Sequence, residues 1–443
     1  MSKKLFSDFE PVSAKAWKQK IQVDLKGADY NDTLVWQTND GINVKPFYHQ
    51  DTLENTLHIK PQTWSIGQII FAQNADTANK KAINAIEKGA ETIKFIIPNN
   101  KVSISELINN IDLHATNIQL ELLFLDQNWI SNIDQNISIQ VDPIHQLVKT
   151  GNWFSNLDKD LAAIKDTVAH TGCLTIDTTT YQNGGANNVQ QIAYTILHAN
   201  EYFNIVDVST IKKVIFNVAV GTNYFFEIAK LRALRALFDS IASEYNISAT
   251  CVINAIPSKR NKTIYDYNTN MLRTTTECMS AVLGGANTVF NLPYDAIYHK
   301  DKAFGERIAR NQLLVLKNES YFNAVNNPSD GSYYIESLTN QLAENSLDLF
   351  KDIEANGGLL KQLKEGTIQK KIKESAAKEQ QQFDEQKIIL LGTNKHPNKE
   401  DKMKNDLELY PFVKTNPVKT LIEPIIEKRL SEQIEQERLK TEE

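Results

Sequence analysis

Few side chains in this 443-residue sequence combine the residue types and the spacing that catalysis or metal binding requires. The eight histidines are scattered, and no two stand four residues apart, as a helical metal site would need. The three cysteines, Cys173, Cys251 and Cys278, are far apart, which predicts buried thiols. Neither a GxGxxG loop nor a P-loop occurs. The sequence therefore predicts no metal site and no phosphate-binding glycine loop.

One acidic residue, Asp177, stands at the end of a short apolar run and is followed by hydroxyl side chains, among them Thr179 and Thr180. Asp177 could act as a base if burial raised its pKa, but an aspartate in this position more often caps the following turn. No histidine follows any predicted strand. Groups that titrate near neutral pH, which general acid–base catalysis prefers, are therefore scarce at these positions.

Basic residues follow another apolar run, at Lys259, Arg260 and Lys262. They could bind a phosphate such as that of a CoA, or they could form a solvated turn. His198 lies within a helical segment and is predicted to be a packing or surface residue. Neither the three basic residues nor His198 by itself indicates a particular reaction.

The elements that would position these residues alternate between short apolar runs and helical segments. In 189–197 the apolar residues form a single helical stripe, as expected of a helix that packs on a sheet. The apolar runs, rich in Ile, Val, Leu and Phe like buried parallel strands, are 66–72, 92–97, 119–125, 174–177, 214–220, 250–256, 288–292 and, more weakly, 321–325. Eight strands that alternate with helices predict an α/β fold, a TIM-type (β/α)₈ barrel. A doubly wound open sheet is the alternative, because periodicity does not establish closure.

Three regions are predicted along the chain. Residues 1–60 read as an extended N-terminal arm with one helix, 14–25, and too little apolar surface to fold alone, so the arm should pack on the barrel or on a partner. Residues 61–358 form the predicted barrel. Residues 359–443 read as a helical linker, with one extended run at 388–394, and a charged helical tail suited to docking.

Composition excludes several classes of function. The net charge of −6 offers no basic field for nucleic acid or anionic lipid. The first residues lack the apolar core of a signal peptide, and no apolar run reaches the length of a membrane span. Together with the unpaired cysteines, these features predict a cytoplasmic protein.

Six groups of residues, in order along the chain, resemble the methylmalonyl-CoA mutase family. The last, NPSDGSYY (327–334), is similar to the family's Asp-Pro-x-Gly-Gly-Ser-Tyr-Tyr turn. The other groups are DLKGADY (24–30) with LVW (34–36) and GINVKPFY (41–48), AVGTNYFFEIAKLR (219–232), NMLRTTTE (270–277), LGGA (283–286) and RIARN (307–311). The resemblance implies a barrel that, in active members, is threaded by an acyl-CoA and precedes a corrinoid-binding domain. There the cofactor, adenosylcobalamin, carries the radical rearrangement.

Two departures from the active pattern imply that this barrel has lost its chemistry. Active members carry Tyr-His shortly before Gln-Glu-Ala-Gly-Ala, and here Thr179 and Thr180 stand at those positions. A threonine hydroxyl replaces neither an imidazole nor a phenol. Gly67 stands where the resemblance predicts an arginine for the acyl carboxylate. We therefore expect Thr179, Thr180 and Gly67 to be vestigial, with no catalytic, cofactor-binding or metal-binding residue on this chain.

The end of the sequence completes the resemblance. LIEPIIE (421–427) resembles the linker before the corrinoid domain, and the 16 residues that follow it lead us to expect that this domain is absent. DLHATN (112–117) matches two positions of the Asp-x-His-x-x-Gly signature for a cobalt ligand, but Asn117 replaces the glycine, and we interpret the match as chance.

Heterodimeric members of the family pair an active large chain with an inactive small one. The resemblance thus implies a non-catalytic small subunit, with adenosylcobalamin on a catalytic large subunit that interconverts methylmalonyl-CoA and succinyl-CoA. An active barrel that works with a separate cobalamin-binding chain, and a stand-alone scaffold protein, are the alternatives.

Overall fold

The computed structural model describes residues 7–53, 56–57, 59–60, 62–134, 136–414 and 417–442. The strands are β1 (Trp36–Gln37), β2 (Asn43–Val44), β3 (Ser65–Phe71), β4 (Thr92–Ile97), β5 (Asn117–Leu122), β6 (Ser138–Gln140), β7 (Cys173–Asp177), β8 (Lys213–Val220), β9 (Thr250–Pro257) and β10 (Thr288–Phe290). β1 and β2 form a small antiparallel hairpin in the arm, and β3 to β10 form one parallel sheet.

Helices separate most of the strands and cover the outside of the sheet. In chain order they are α1 (Ala14–Asp24), α2 (Tyr30–Leu34), α3 (Ala75–Glu87), α4 (Ile104–Leu107), α5 (Gln127–Ile130), α6 (Pro143–Thr150), α7 (Leu157–Thr171), α8 (Thr179–Asn183), α9 (Asn188–Phe203), α10 (Tyr224–Glu244), α11 (Thr269–Leu283), α12 (Ala303–Leu314), α13 (Tyr333–Ala355), α14 (Gly358–Lys364), α15 (Thr367–Asp384) and α16 (Glu432–Thr441). Two short 3₁₀ turns, Gln50–Thr52 and Val208–Thr210, and a π turn, Val315–Glu319, complete the set. None of the helices in these ranges is long and apolar enough to cross a membrane.

The sheet is nearly closed and forms the predicted (β/α)₈ barrel. Hydrogen-bonded neighbours follow the order β6-β5-β4-β3-β10-β9-β8-β7, so β3 and β10, the first and last of these eight strands along the chain, are paired. β6 and β7 lie side by side at the remaining position without ladder bonds between them in the part of the chain described here. We call this position the seam. The apolar core lies between the sheet and its helices.

Two of the predicted strands need correction. Residues 321–325 form turns, because Tyr321 has a left-handed backbone (φ 57°) and its side chain is 71% exposed. The missing barrel strand is β6, whose inward residues Ser138 and Gln140 are polar and gave no apolar run. Because β6 is the fourth strand of the barrel, the strand predicted at 174–177 is the fifth and not the fourth, and each predicted strand after it up to 288–292 also moves one place along the barrel. The run 388–394 also forms turns, with a single bridge between Leu391 and Lys395.

The arm and the tail both pack on this chain. Ile42 of the arm hairpin is buried in the core, and Asn39 and Gln382 of α15 exchange a reciprocal pair of amide hydrogen bonds of 2.8 and 2.9 Å. Residues 417–431 lie across the carboxyl ends of the strands, where Leu430 N donates to Arg260 O. In α16, Glu435 is fully buried and pairs with Arg429 at 2.7 Å. The tail, predicted as a docking element or a linker, packs on this chain through these contacts.

Candidate functional site

The carboxyl ends of β6 and β7 carry a cluster of acidic and histidine side chains. Asp142 caps α6 and accepts hydrogen bonds from His198 Nε2 at 3.0 Å and from the Tyr202 hydroxyl at 2.6 Å. Its second oxygen accepts the backbone N–H of Asp177 at 2.8 Å. His145 Nδ1 lies 2.9 Å from the carbonyl oxygen of Asp177. Of the two roles predicted for His198, packing and surface, the structure shows the buried packing role.

His145 was missed because it follows β6, which was not predicted. Its proximity to Asp177 Oδ1, 3.5 Å, gives that carboxylate a histidine neighbour after all. Burial alone would raise the pKa of Asp177, but His145, Lys94 and the Thr179 hydroxyl outweigh burial and hold the pKa at about 2. Asp177 is thus a structural carboxylate that is ionised at neutral pH, which is the opposite of a base with a raised pKa.

The two threonines at the positions predicted to be vestigial, Thr179 and Thr180, contact carboxylates of this chain. Thr179 donates both its backbone N–H (3.0 Å) and its hydroxyl (2.6 Å) to Asp177 Oδ1, which caps the turn into α8. Thr180 is 1% exposed, and its hydroxyl lies 3.5 Å from Glu427 of the segment that crosses the barrel mouth. Neither hydroxyl is directed at an open space.

The basic residues that follow β9 are engaged as well. Arg260 pairs with Glu379 of α15 at 2.5 Å, and Lys262 is 1% exposed and pairs with Glu277 at 2.8 Å. Lys259 remains exposed. The solvated turn is therefore wrong for Arg260 and Lys262, which are buried and form internal ion pairs.

The interior of the barrel is polar and closed. Lys94 of β4 donates to Asn217 of β8 at 3.3 Å, and Asn254 of β9 donates to Gln119 of β5 at 3.0 Å. Gln140 of β6 joins the set through Gln119 (2.7 Å) and Asn217 (3.0 Å). Each of the first two pairs joins strands that are four positions apart, which is diametrically opposite in an eight-stranded barrel. These direct bonds leave no through-channel along the axis at this level.

Phe290 of β10 occupies the space beside Gly67, its register neighbour on β3. A Cβ atom on Gly67 would collide with the ring of Phe290, lying 2.5 Å from its Cε1 atom. Lys94 Nζ lies 5.4 Å from the centre of the same ring, a cation–π distance. A longer side chain at position 67 has no room.

A cavity of about 610 Å³ lies beside this closed interior, under the arm hairpin. Its walls include Trp36 and Asp40 of the arm, Glu227 of α10, and Arg260. Lys230, fully buried beneath it, pairs with Glu227 at 2.5 Å, and burial lowers the pKa of this lysine. Residues 112–117 lie elsewhere, at the amino end of β5 and beside a second cavity of about 520 Å³. There His114 donates its backbone N–H to Asp112.

Fold and geometry together define a TIM-type barrel whose axis is crossed by its own side chains and whose mouth keeps a cavity between the arm hairpin and the exits of β8 and β9. A family model described as methylmalonyl-CoA mutase matches residues 96–438. The chain belongs to the methylmalonyl-CoA mutase family.

Relatives named as small subunits are among the most similar proteins. The methylmalonyl-CoA mutase small subunit of Porphyromonas gingivalis is 33% identical, with 89% of this chain and 71% of that protein covered. The small subunit of Streptomyces virginiae is 32% identical, with 89% and 72% covered. The methylmalonyl-CoA mutase of Cereibacter sphaeroides is 27% identical, and this chain spans 64% of its length.

Proposed function

We propose that this chain is the non-catalytic small subunit of an adenosylcobalamin-dependent methylmalonyl-CoA mutase. It binds a catalytic large subunit in the cytoplasm as a heterodimer. The large subunit holds the cofactor and interconverts methylmalonyl-CoA and succinyl-CoA. By binding the native state of its partner, the small subunit stabilises it.

The observation that carries this proposal is the closed axis of the barrel. An acyl-CoA that threaded this barrel would have to break the Lys94–Asn217 and Asn254–Gln119 hydrogen bonds and displace Phe290. Breaking buried hydrogen bonds without replacement costs about 1–3 kcal/mol for each group left unpaired. The residues of the axis therefore do not fit the substrate of the active members.

The mouth does not fit the cofactor chemistry either. His145 and His198 are committed to Asp177 and Asp142, and the Thr179 hydroxyl is committed to Asp177. No step of a radical rearrangement can be assigned to these residues.

The proposal is tested by mutase assays with added adenosylcobalamin on this chain, on the large chain, and on the two co-expressed. We expect turnover in the mixture, unchanged when this chain carries Thr179→Val or Thr180→Val. Turnover by this chain alone would contradict the proposal. Loss of turnover with either valine variant, in a complex that still assembles, would contradict it too and would favour an active barrel.

A further inference from the structure

The cavity of about 610 Å³ beneath the arm hairpin lies where β8 and β9 end, beside the closed axis. Gly221 and Thr222 line it after β8, and Ser258 and Arg260 line it after β9. The four side chains that bond directly across the barrel are not part of its wall, so a ligand here leaves those bonds intact. TIM barrels bind ligands at this end of their strands, and small-molecule sites usually have volumes of about 300–1,000 Å³. Position and volume therefore fit a ligand-binding site.

Two helices, α9 and α10, begin at this cavity, and their amino ends differ. At α9, the Asp40 carboxylate of the arm accepts hydrogen bonds from the backbone N–H of Asn188 at 2.6 Å and from its side-chain amide at 3.3 Å. At α10, which has 21 residues, the side chain of Asn223 makes no capping bond, and the backbone N–H of Glu227 donates to Asn223 O at 2.9 Å. The N–H groups before Glu227 have no acceptor within the helix, and the helix dipole makes this end attractive to anions.

A buried guanidinium group lines the same cavity. Arg260 is 7% exposed, its Nε pairs with Glu379 at 2.5 Å, and its Nη1 donates to Lys428 O at 2.8 Å. Its Nη2 makes no hydrogen bond within the described ranges of the chain. Nη2 lies beside Gly185, where an added Cβ atom would be 3.0 Å from it, so the lack of a side chain at Gly185 keeps Nη2 uncovered. Nη2 is therefore a donor that a ligand in the cavity can use.

The open donors, and not the acidic groups, indicate the chemistry of the ligand. Three carboxylates also line the cavity, and each has a partner in this chain: Asp40 is bonded by Asn188, Glu227 pairs with Lys230, and Glu379 pairs with Arg260. A phosphate group offers several negatively charged acceptor oxygens, and guanidinium groups and helix amino ends are its usual partners in proteins. A ligand without such acceptors would leave Nη2 of Arg260 and the first N–H groups of α10 unpaired.

From these contacts we infer that the cavity beneath the arm hairpin binds a small phosphorylated molecule, whose phosphate is held by Arg260 Nη2 and the amino end of α10. Trp36 and Ile389 also line the cavity and are each about half exposed, so they supply apolar surface for the organic part of the ligand. The inference concerns this chain alone and goes beyond the proposed function, since it needs neither a partner chain nor a mutase reaction.

The test titrates the full-length chain with inorganic phosphate in a calorimeter at constant ionic strength, and we expect saturable binding. Asn223→Asp puts a carboxylate of the same shape at the amino end of α10, where it repels phosphate, so the dissociation constant should rise at least tenfold. The matched control Asn223→Ala removes the same amide without adding charge and should stay within threefold. Arg260→Lys keeps a cation beside Glu379 but lacks Nη2, and should weaken binding at least fivefold. Thermal unfolding verifies that each variant folds.

Three outcomes would overturn the inference. The first is a wild-type chain that gives no saturable heat with phosphate. The second is phosphate binding that Asn223→Asp weakens no more than Asn223→Ala, because the anion would then lie away from α10. The third is malonate, titrated under the same conditions, binding as tightly as phosphate, which would make this a site for carboxylates. None of these outcomes bears on the mutase assays, so failure of this inference is distinct from failure of the proposed function.

Discussion

Phe290 should be energetically coupled to Gly67, because the ring of Phe290 fills the position that any side chain on Gly67 would take. Gly67→Ala forces a methyl group against that ring, and such overpacking costs about 1–3 kcal/mol. Phe290→Ala removes a fully buried ring, which costs about 3–5 kcal/mol. In the double variant the space left by the ring accepts the new methyl group. The double variant should therefore lose at least about 1 kcal/mol less than the sum of the two single losses.

Urea unfolding of the wild type, both single variants and the double variant measures this coupling as a difference in the free energy of unfolding. If Phe290→Ala does not fold, Phe290→Leu takes its place in the cycle, with a smaller coupling of the same sign. Losses that add to within about 0.5 kcal/mol would refute the reasoning. So would a Gly67→Ala variant as stable as the wild type, since the axis at this level would then have free space.

Three further predictions concern the mouth and its supports. Asp177→Asn should make the free energy of unfolding less dependent on pH in the acid range. In the wild type the pKa of Asp177 is about 2, against the ordinary 3.8, and this difference stabilises the folded state by about 2 kcal/mol above pH 4. That stabilisation is lost as the pH falls towards 2. Equal pH dependence of unfolding in both proteins would contradict this. Lys230→Met should destabilise by about 3–5 kcal/mol because it leaves Glu227 buried and unpaired, and adding Glu227→Gln should restore much of the melting temperature; no restoration would refute the pairing. Gln382→Ala should speed amide exchange in the hairpin that carries Asn39 while changing global stability by less than about 1.5 kcal/mol, and unchanged exchange would show that this amide pair does not fasten the arm.

The barrel could be predicted from the sequence because most of its strands are continuous apolar runs. The predicted 92–97 matches β4 exactly in extent, and 250–256 differs from β9 by one residue. β6 was not predicted since two of its three residues are polar and face inward. The strand predicted at 321–325 was wrong because apolar composition alone does not reveal a backbone turn or an exposed side chain.

Much less of the site could be predicted. The polar side chains of the axis sit at alternate positions within apolar strands, and Lys94 in particular was a visible signal that the interior was not purely apolar. Their pairing was not visible, because Lys94 and Asn217 are 123 residues apart in sequence. His145 became a site residue once β6 was located, and Lys262 left the site once its carboxylate partner on α11 was located.

The seam between β6 and β7 gives this barrel a mechanical asymmetry. All other neighbouring strands of the sheet are joined by backbone hydrogen bonds, whereas side chains join the two strands at the seam. The Asp142 carboxylate accepts a hydrogen bond from the backbone N–H of Asp177, and His145 Nδ1 lies within hydrogen-bond distance of the Asp177 carbonyl oxygen. β3–β6 and β7–β10 are thus two four-stranded halves, joined on one side by the β3–β10 ladder and on the other by side chains that can change their charge. The contacts at the seam therefore depend on protonation in a way that backbone hydrogen bonds between strands do not.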